Sequence, residues 1–279
     1  MKPLEPIYVT DLFPKLDARL SELLRGLSDE DWRKPTVAPL WTVKDIAAHL
    51  LDTNLRRLSM QRDGYFGEKP ENISSYQDLV DFLNRLNADW VKAAKRVSPR
   101  ILIDLLEITN REVNALLASL DPYGPAIYSV AWAGEEASEN WFDVAREYTE
   151  KWHHQQQIRL AVGKPGILER ELYHPVLDAF LRALPHTYRD VDAPEGTLLR
   201  FDVAGEAGGS WFLSRQDRSW RLAREAEGTV HSEVTIPQEI AWRLFTKGIA
   251  RELARREIRV TGEPQDLGWK VLDTLSVMA

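Results

Sequence analysis

The chain contains 279 residues, which is long for one compact domain and sufficient for two. Its 43 acidic and 36 basic residues give a formal net charge of −7, so the chain lacks the positive field that attracts nucleic-acid backbones. It contains no cysteine, which excludes disulfides, thiolate metal sites and cysteine nucleophiles. Any metal site must therefore use nitrogen and oxygen ligands.

Neither a targeting segment nor a membrane span is visible in the sequence. No basic segment followed by an apolar run opens the chain, and no run of about 18 apolar residues occurs in it. We therefore expect a cytoplasmic protein whose partners are small molecules rather than nucleic acid or a membrane. The sequence leaves the oligomeric state open.

Apolar residues recur at helical spacing through the first 163 residues. Thr10 is the predicted cap of the first helix. The second helix has a stronger start signal, because Thr42 precedes Asp45 by three residues and Trp41 can pack against Ile46 as a hydrophobic staple. The predicted helices cover about 10–26, 43–60, 75–94, 98–117 and 139–163. Helices joined in this way predict an antiparallel four-helix-type bundle.

The pattern changes after Gly166. One amphipathic helix, Glu171 to Tyr188, precedes four alternating runs that predict an antiparallel meander, at 197–203, 210–214, 219–224 and 229–235. A helix over 237–245, a strand over 258–261 and a final helix over 265–277 follow. The sequence thus predicts an all-α domain at about 1–165 and a smaller α+β domain with an antiparallel sheet at about 166–279.

Three residues on two predicted helices form a candidate metal site. His49 lies on the bundle-facing side of its helix, where a histidine is more often a hydrogen-bonded core residue than a ligand. Glu150 and His154 are four residues apart and share one helix face, although such a pair is also an ordinary surface interaction. Together the three supply two nitrogens and one carboxylate, a set typical of catalytic zinc.

The other histidines carry weaker signals. His153 points about 100° away from His154 on the same helix and is interpreted as a packing residue or a neighbour of the site. Three further histidines are isolated in the sequence and receive no role, namely His174, His186 and His231.

Several runs carry a resemblance to a known family. Leu27–Trp32 and Trp41–Leu50 resemble the N-terminal signature of the mycothiol-dependent maleylpyruvate isomerase family, in the DinB-like metal-binding superfamily. Glu147–Arg159 is similar to the second signature of that family. Glu239–Phe245 and Val260–Glu263 are similar to the sterol-carrier-like domain that follows the bundle. The resemblance therefore extends over nearly the whole chain.

The resemblance implies that His49, Glu150 and His154 are metal ligands, usually for zinc or another divalent metal. It also implies a bacterial protein with a low-molecular-weight thiol such as mycothiol as cofactor. The sequence departs from the family pattern at 38–40, where Ala-Pro-Leu replaces a frequent Cys-Pro-Gly, and at Gln157, where aspartate is common. Because of the change at Gln157, it is open whether this position contacts a metal ligand or the substrate, as the family's aspartate would.

Three functional hypotheses follow. A metal-activated diffusible thiol could act in an isomerase or in a thiol transferase, and the sequence does not separate the two. The alternative is a non-enzymatic protein that holds a lipid or other small molecule beside a structural metal. For the enzyme, Arg243 is the candidate catalytic residue that holds an anionic substrate, against the commoner reading of a solvated arginine. The basic cluster at 251–259 is interpreted as a solvated face.

Overall fold

The computed structural model describes residues 2–69 and 73–277, and they pack into two compact units. One unit contains the residues up to Tyr8, Pro122–His153 and Ile167–Val277. The other contains Val9–Asp121 and His154–Gly166. Both units are discontinuous in sequence, because one long helix contributes residues to each. The domain boundary expected near residue 165 remains a prediction.

The second unit is helical, which confirms the predicted all-α character of the first part of the chain. Its helices are α1 (Phe13–Arg25), α2 (Val43–Arg57), α3 (Tyr76–Ala94), α4 (Pro99–Ala118) and the end of α5 (Asn140–Ala161). The side chains of Thr42, Ser75 and Ser98 each accept a backbone N–H in the first turn of α2, α3 and α4. These local caps explain why the three helices begin at the residues that the sequence predicts.

The start of α1 differs from the prediction. Thr10 lies in a 3-10 turn over Thr10–Leu12, and α1 begins at Phe13 without a side-chain cap. The backbone N–H of Leu12 already donates to the Val9 carbonyl at 2.9 Å, so the turn replaces the expected cap.

The core of the helical unit surrounds α2, which contacts α3 and α4. Fully buried side chains of α2 and α4 meet there, including Ile46 and Leu102. The buried Asn54 amide donates to Asn110 Oδ1 at 2.7 Å and to Thr109 Oγ1 at 3.0 Å. Because buried polar groups are costly without partners, these bonds fix the orientation of α2 against α4.

The other unit contains a six-stranded sheet in the order β1-β4-β3-β2-β5-β6. Its strands are β1 (Lys2–Pro3), β2 (Leu198–Ala204), β3 (Gly209–Gln216), β4 (Ser219–Glu225), β5 (Ser232–Pro237) and β6 (Arg259–Gly262). The α+β class is confirmed, and β2, β3 and β4 form the predicted antiparallel meander. The prediction that the fourth run continues this meander is wrong, since β5 pairs in parallel with β2. Strand β1 lies along β4, and residues 226–231 connect β4 to β5, which lies between β2 and β6.

The helices of this unit are α6 (Arg170–Leu181), α7 (Leu184–Thr187), α8 (Gln238–Phe245), α9 (Arg251–Glu257) and α10 (Gln265–Trp269). Two of them are shorter than the sequence indicates, whereas α8 has nearly its predicted bounds and α9 was not predicted. The single helix predicted over 171–188 is divided, because Pro185 in α7 has no N–H to continue the ladder. The final helix ends early, since Thr274 is extended and the Ser276 N–H donates to the Phe245 carbonyl at 2.9 Å.

No helix among the described residues is long and apolar enough to cross a membrane. The two longest, α4 and α5, contain 20 and 22 residues and carry charged side chains. The cytoplasmic location remains a prediction.

The caps provide a test of the helix that carries His49. We expect Thr42→Ala to lower the free energy of unfolding by about 1 kcal/mol, because it removes the capping box that Thr42 forms with Asp45. Thr10→Ala is the matched control and should change stability by less than about 0.5 kcal/mol, since Thr10 caps no helix. Urea unfolding followed by circular dichroism measures both, and equal losses would contradict the assignment of the caps.

Candidate metal centre

Helices α2 and α5 bring together the three residues that the sequence singled out. One donor atom each of His49, Glu150 and His154 lies within 4.8 Å of the other two. His49 comes from the middle of α2, and Glu150 and His154 are one turn apart in α5. Within residues 2–69 and 73–277 this is the one group of three such side chains close enough to hold an ion. Their role as metal ligands remains a prediction.

The chemistry of the three donors fits a divalent transition metal. Two imidazole nitrogens and one carboxylate oxygen form the ligand set of many catalytic zinc sites, where a fourth position stays open. Ligand atoms bound to one zinc ion at about 2.0–2.2 Å lie roughly 3–4 Å apart. Small side-chain rotations therefore suffice for the three donors to converge on one ion.

The two imidazoles are almost completely buried. His49 is 4% exposed and His154 is 6% exposed, whereas the Glu150 side chain retains 24% of its exposure. The two rings meet edge to face with centroids 4.8 Å apart, and the Trp41 ring lies 4.8 Å from His49. Trp41 therefore packs against the His49 ring, whereas its centroid is 6.0 Å from that of His154.

The Gln157 side chain contacts the candidate ligand His154. Its Oε1 accepts a hydrogen bond from His154 Nδ1 at 2.8 Å. An amide oxygen can only accept, so Nδ1 carries a hydrogen in this contact. The position that departs from the family pattern thus holds a neutral group that orients the histidine.

His153 and Asp52 are neighbours of the group but not members of it. His153 Nδ1 donates to the Thr149 carbonyl at 3.0 Å, within its own helix. Asp52 follows His49 by one turn and pairs with Arg56 at 3.0 Å. Burial raises the pKa of the Asp52 carboxyl, and the positive charge of Arg56 acts in the opposite direction.

The remaining three histidines, His174, His186 and His231, lie in the unit that contains the sheet. His174 Nδ1 donates to the Ala207 carbonyl at 2.7 Å, and its Nε2 accepts from Arg224 at 2.6 Å. Burial lowers the pKa of His174 and of His186, which favours the neutral imidazole. His231 Nδ1 accepts the Leu198 N–H at 3.2 Å.

Sequence reasoning missed a set of buried charges on α5. Asp143, Glu147 and Lys151 are each at most 4% exposed. Arg146 donates to Asp143 at 2.7 Å and lies 3.4 Å from Glu147. Residues 147, 151 and 154 share one face at helical spacing, so this polar stripe leads to the candidate metal ligands. The signal in the sequence was the interleaving of charged residues with the apolar stripe, which leaves α5 without a distinctly polar face.

Arg243 lies at the end of α8 and is half-buried. Its Nε donates to the Gly248 carbonyl at 3.1 Å, which closes the chain after the helix. This bond gives Arg243 a local structural contact and leaves its terminal nitrogens for other partners. Its catalytic role remains a prediction.

The two adjacent histidines of α5 allow a matched test of the metal centre. We expect His154→Ala to abolish stoichiometric metal binding while helical content is retained, because the substitution removes one of three donors. His153→Ala should keep the metal, since that ring bonds the Thr149 carbonyl. Elemental analysis and circular dichroism of the purified proteins measure both properties. Full metal occupancy in His154→Ala would exclude the ligand set.

Comparisons with known proteins agree with this arrangement of helices. The family described as the mycothiol maleylpyruvate isomerase N-terminal domain matches residues 13–159. A comparison with curated proteins finds no match.

The chain also resembles solved structures. A crystal structure of the mycothiol-dependent maleylpyruvate isomerase and one of its histidine-to-alanine mutant each align with a TM-score of 0.52 at 11% identity, covering 84% of this chain and 86% of theirs. At that identity the likeness shows a shared fold alone. The UbiJ-SCP2 ubiquinone synthesis protein aligns over 36% of this chain and 89% of its own at 21% identity. Its TM-score of 0.24 is too low to indicate a shared fold. The family match spans more than half of the chain, and the protein therefore belongs to the mycothiol maleylpyruvate isomerase N-terminal domain family.

Proposed function

We propose that this protein is a metal-dependent isomerase that uses a low-molecular-weight thiol of the mycothiol type to isomerise a small unsaturated acid. The observation that carries the proposal is the convergence of His49, Glu150 and His154 within 4.8 Å. Membership of the isomerase family supports the reaction class. The sterol-carrier-like reading of the C-terminal part and the lipid-binding alternative have no comparable observation behind them.

The imidazoles of His49 and His154 and the carboxylate of Glu150 would hold the metal, for which we propose zinc. When bound, a divalent metal supplies the positive charge that lowers the pKa of a thiol so that the thiolate forms at neutral pH. Gln157 holds the ring of His154 by its Nδ1–H. The Trp41 ring packs beside His49 at a centroid distance of 4.8 Å.

The reactive sulfur must come from outside the chain, because the sequence contains no cysteine. The thiolate sulfur adds to an activated carbon–carbon double bond, whose electron pair moves into the adjacent carbonyl system. The bond that has become single rotates. The carbon–sulfur bond then breaks, the double bond re-forms with the opposite geometry, and the thiolate is released, so atoms and electrons balance without an oxidant. Protonation at carbon before release would instead leave a thiol conjugate, the product of a transferase.

An anionic substrate needs a cation, since the chain carries a net charge of −7. We propose that Arg243 supplies it through its terminal nitrogens, which can donate two parallel hydrogen bonds to a carboxylate. Lys151 is a second cation that follows Glu150 directly and is 4% exposed. Glu147, four residues earlier, is an acidic residue of the same helix.

The metal and the thiol can be tested together. We expect zinc-loaded protein to isomerise maleylpyruvate only when mycothiol is added, and chelation of the metal should remove the activity until zinc is restored. The reaction is followed by the ultraviolet absorbance of the substrate and product. Mass spectrometry of the products separates isomerisation from conjugation. Thiol-independent turnover, or full activity after complete metal removal, would contradict the proposal.

The role of Arg243 is tested by charge removal. We expect Arg243→Gln to lower kcat/KM at least tenfold, the scale of one charge-assisted hydrogen bond at about 1.4 kcal/mol, while metal content is unchanged. Arg221→Gln is a matched control, because Arg221 is an exposed residue of β4 that pairs with Asp217. Equal kcat/KM in Arg243→Gln and the unsubstituted protein would remove Arg243 from the site.

A further inference from the structure

We infer that Gln157 is a positioning residue for the metal centre, which sets the tautomer of His154 without adding charge. The inference rests on the proposed metal site. It assigns to Gln157 the task of keeping hydrogen on Nδ1, so that Nε2 is the nitrogen offered to the ion.

The geometry of the contact supports this role. Gln157 follows His154 by three residues in α5, so the two side chains lie on adjacent turns of one face. Their Oε1 and Nδ1 atoms are 2.8 Å apart, a normal hydrogen-bond length. His154 is 6% and Gln157 is 5% exposed, so water cannot easily replace either partner.

The tautomer decides whether His154 can bind a metal through Nε2. A neutral imidazole has one N–H and one lone pair, and hydrogen on Nε2 would block that nitrogen. The Gln157 oxygen stabilises hydrogen on Nδ1 because it can only accept. Had the amide offered its NH₂ group instead, the same contact would favour the opposite and non-binding tautomer. The atom of Gln157 that faces His154 is the oxygen Oε1, which favours the tautomer able to bind a metal through Nε2.

The neutrality of the amide also affects the charge of the centre. Glu150 is the one carboxylate among the three donors, so a divalent ion held there keeps a net positive charge of one. A carboxylate at position 157 would orient the ring equally well but would reduce this charge further. The amide thus orients the ligand while the positive field that favours a thiolate or a carboxylate is retained.

The first experiment measures the tautomer directly. In metal-free protein, the ¹⁵N chemical shifts of His154 should show hydrogen on Nδ1, and Gln157→Leu should shift the population toward hydrogen on Nε2. This readout requires neither metal nor activity, and a residue needed only for packing would not change it. Hydrogen on Nε2 in the unsubstituted protein, or an unchanged ratio in Gln157→Leu, would overturn the inference.

The second experiment measures zinc affinity by competition with a chromophoric chelator. We expect Gln157→Leu to bind zinc 10–100-fold more weakly, the usual loss when the partner of a ligand histidine is removed. Gln157→Glu should restore the affinity at least to that of the unsubstituted protein, because its carboxylate accepts the same N–H. Gln155→Leu is the matched control, since Gln155 is buried in the same helix but donates to the Leu16 carbonyl at 2.9 Å.

These results separate the inference from the proposed function. Unchanged zinc affinity in Gln157→Leu, or an equal loss in Gln155→Leu, overturns the role of Gln157 and leaves the metal site intact. Absence of zinc binding in the unsubstituted protein overturns the proposed function, whereas the tautomer still tests the effect of Gln157 on His154. If Gln157→Leu does not fold, Gln157→Glu and the tautomer of the unsubstituted protein decide the question.

Discussion

The structure depends on the burial of a polar helix. Helix α5 is buried along most of its length, yet its middle carries acids, a lysine, two histidines and three glutamines. Polar groups removed from water destabilise a fold unless the protein supplies partners. The contacts of α5 meet this demand: Arg146 holds Asp143, His153 bonds a carbonyl of its own helix, and Gln155 bonds the Leu16 carbonyl. These partners allow α5 to keep its polar side chains in a buried position.

The three candidate metal ligands are held by helices rather than by loops. His49 lies between Ala48 and Leu50, which are each 1% exposed, and α2 is fixed at its start by the Thr42 capping box. Its orientation against α4 is fixed by the bonds of Asn54. A donor on such a helix has little freedom to move, and this preorganisation is what a catalytic metal site requires.

Membership of the family explains the helical part of the chain. The composition explains which groups of the proposed reaction come from the protein and which from a diffusible molecule. In that proposal the protein would contribute nitrogen and oxygen donors, the neutral amide of Gln157 and the half-buried cation of Arg243. It contributes no sulfur, because it has no cysteine. The proposed nucleophile is therefore a diffusible thiol, and the task of the protein is to hold and orient it together with the substrate.

The sequence alone determined the features that depend on neighbours along the chain. The starts of α2, α3 and α4 follow from Thr42, Ser75 and Ser98, since a cap bonds to its own first turn, and the shared face of Glu150 and His154 follows from helix geometry. Only the tertiary structure decided that His49 approaches them, that Glu147 and Lys151 are buried, and that β5 pairs in parallel with β2. It also decided that Gln157 meets His154 through its oxygen. Burial and strand pairing arise from segments far apart in sequence, so no local pattern of residues records them.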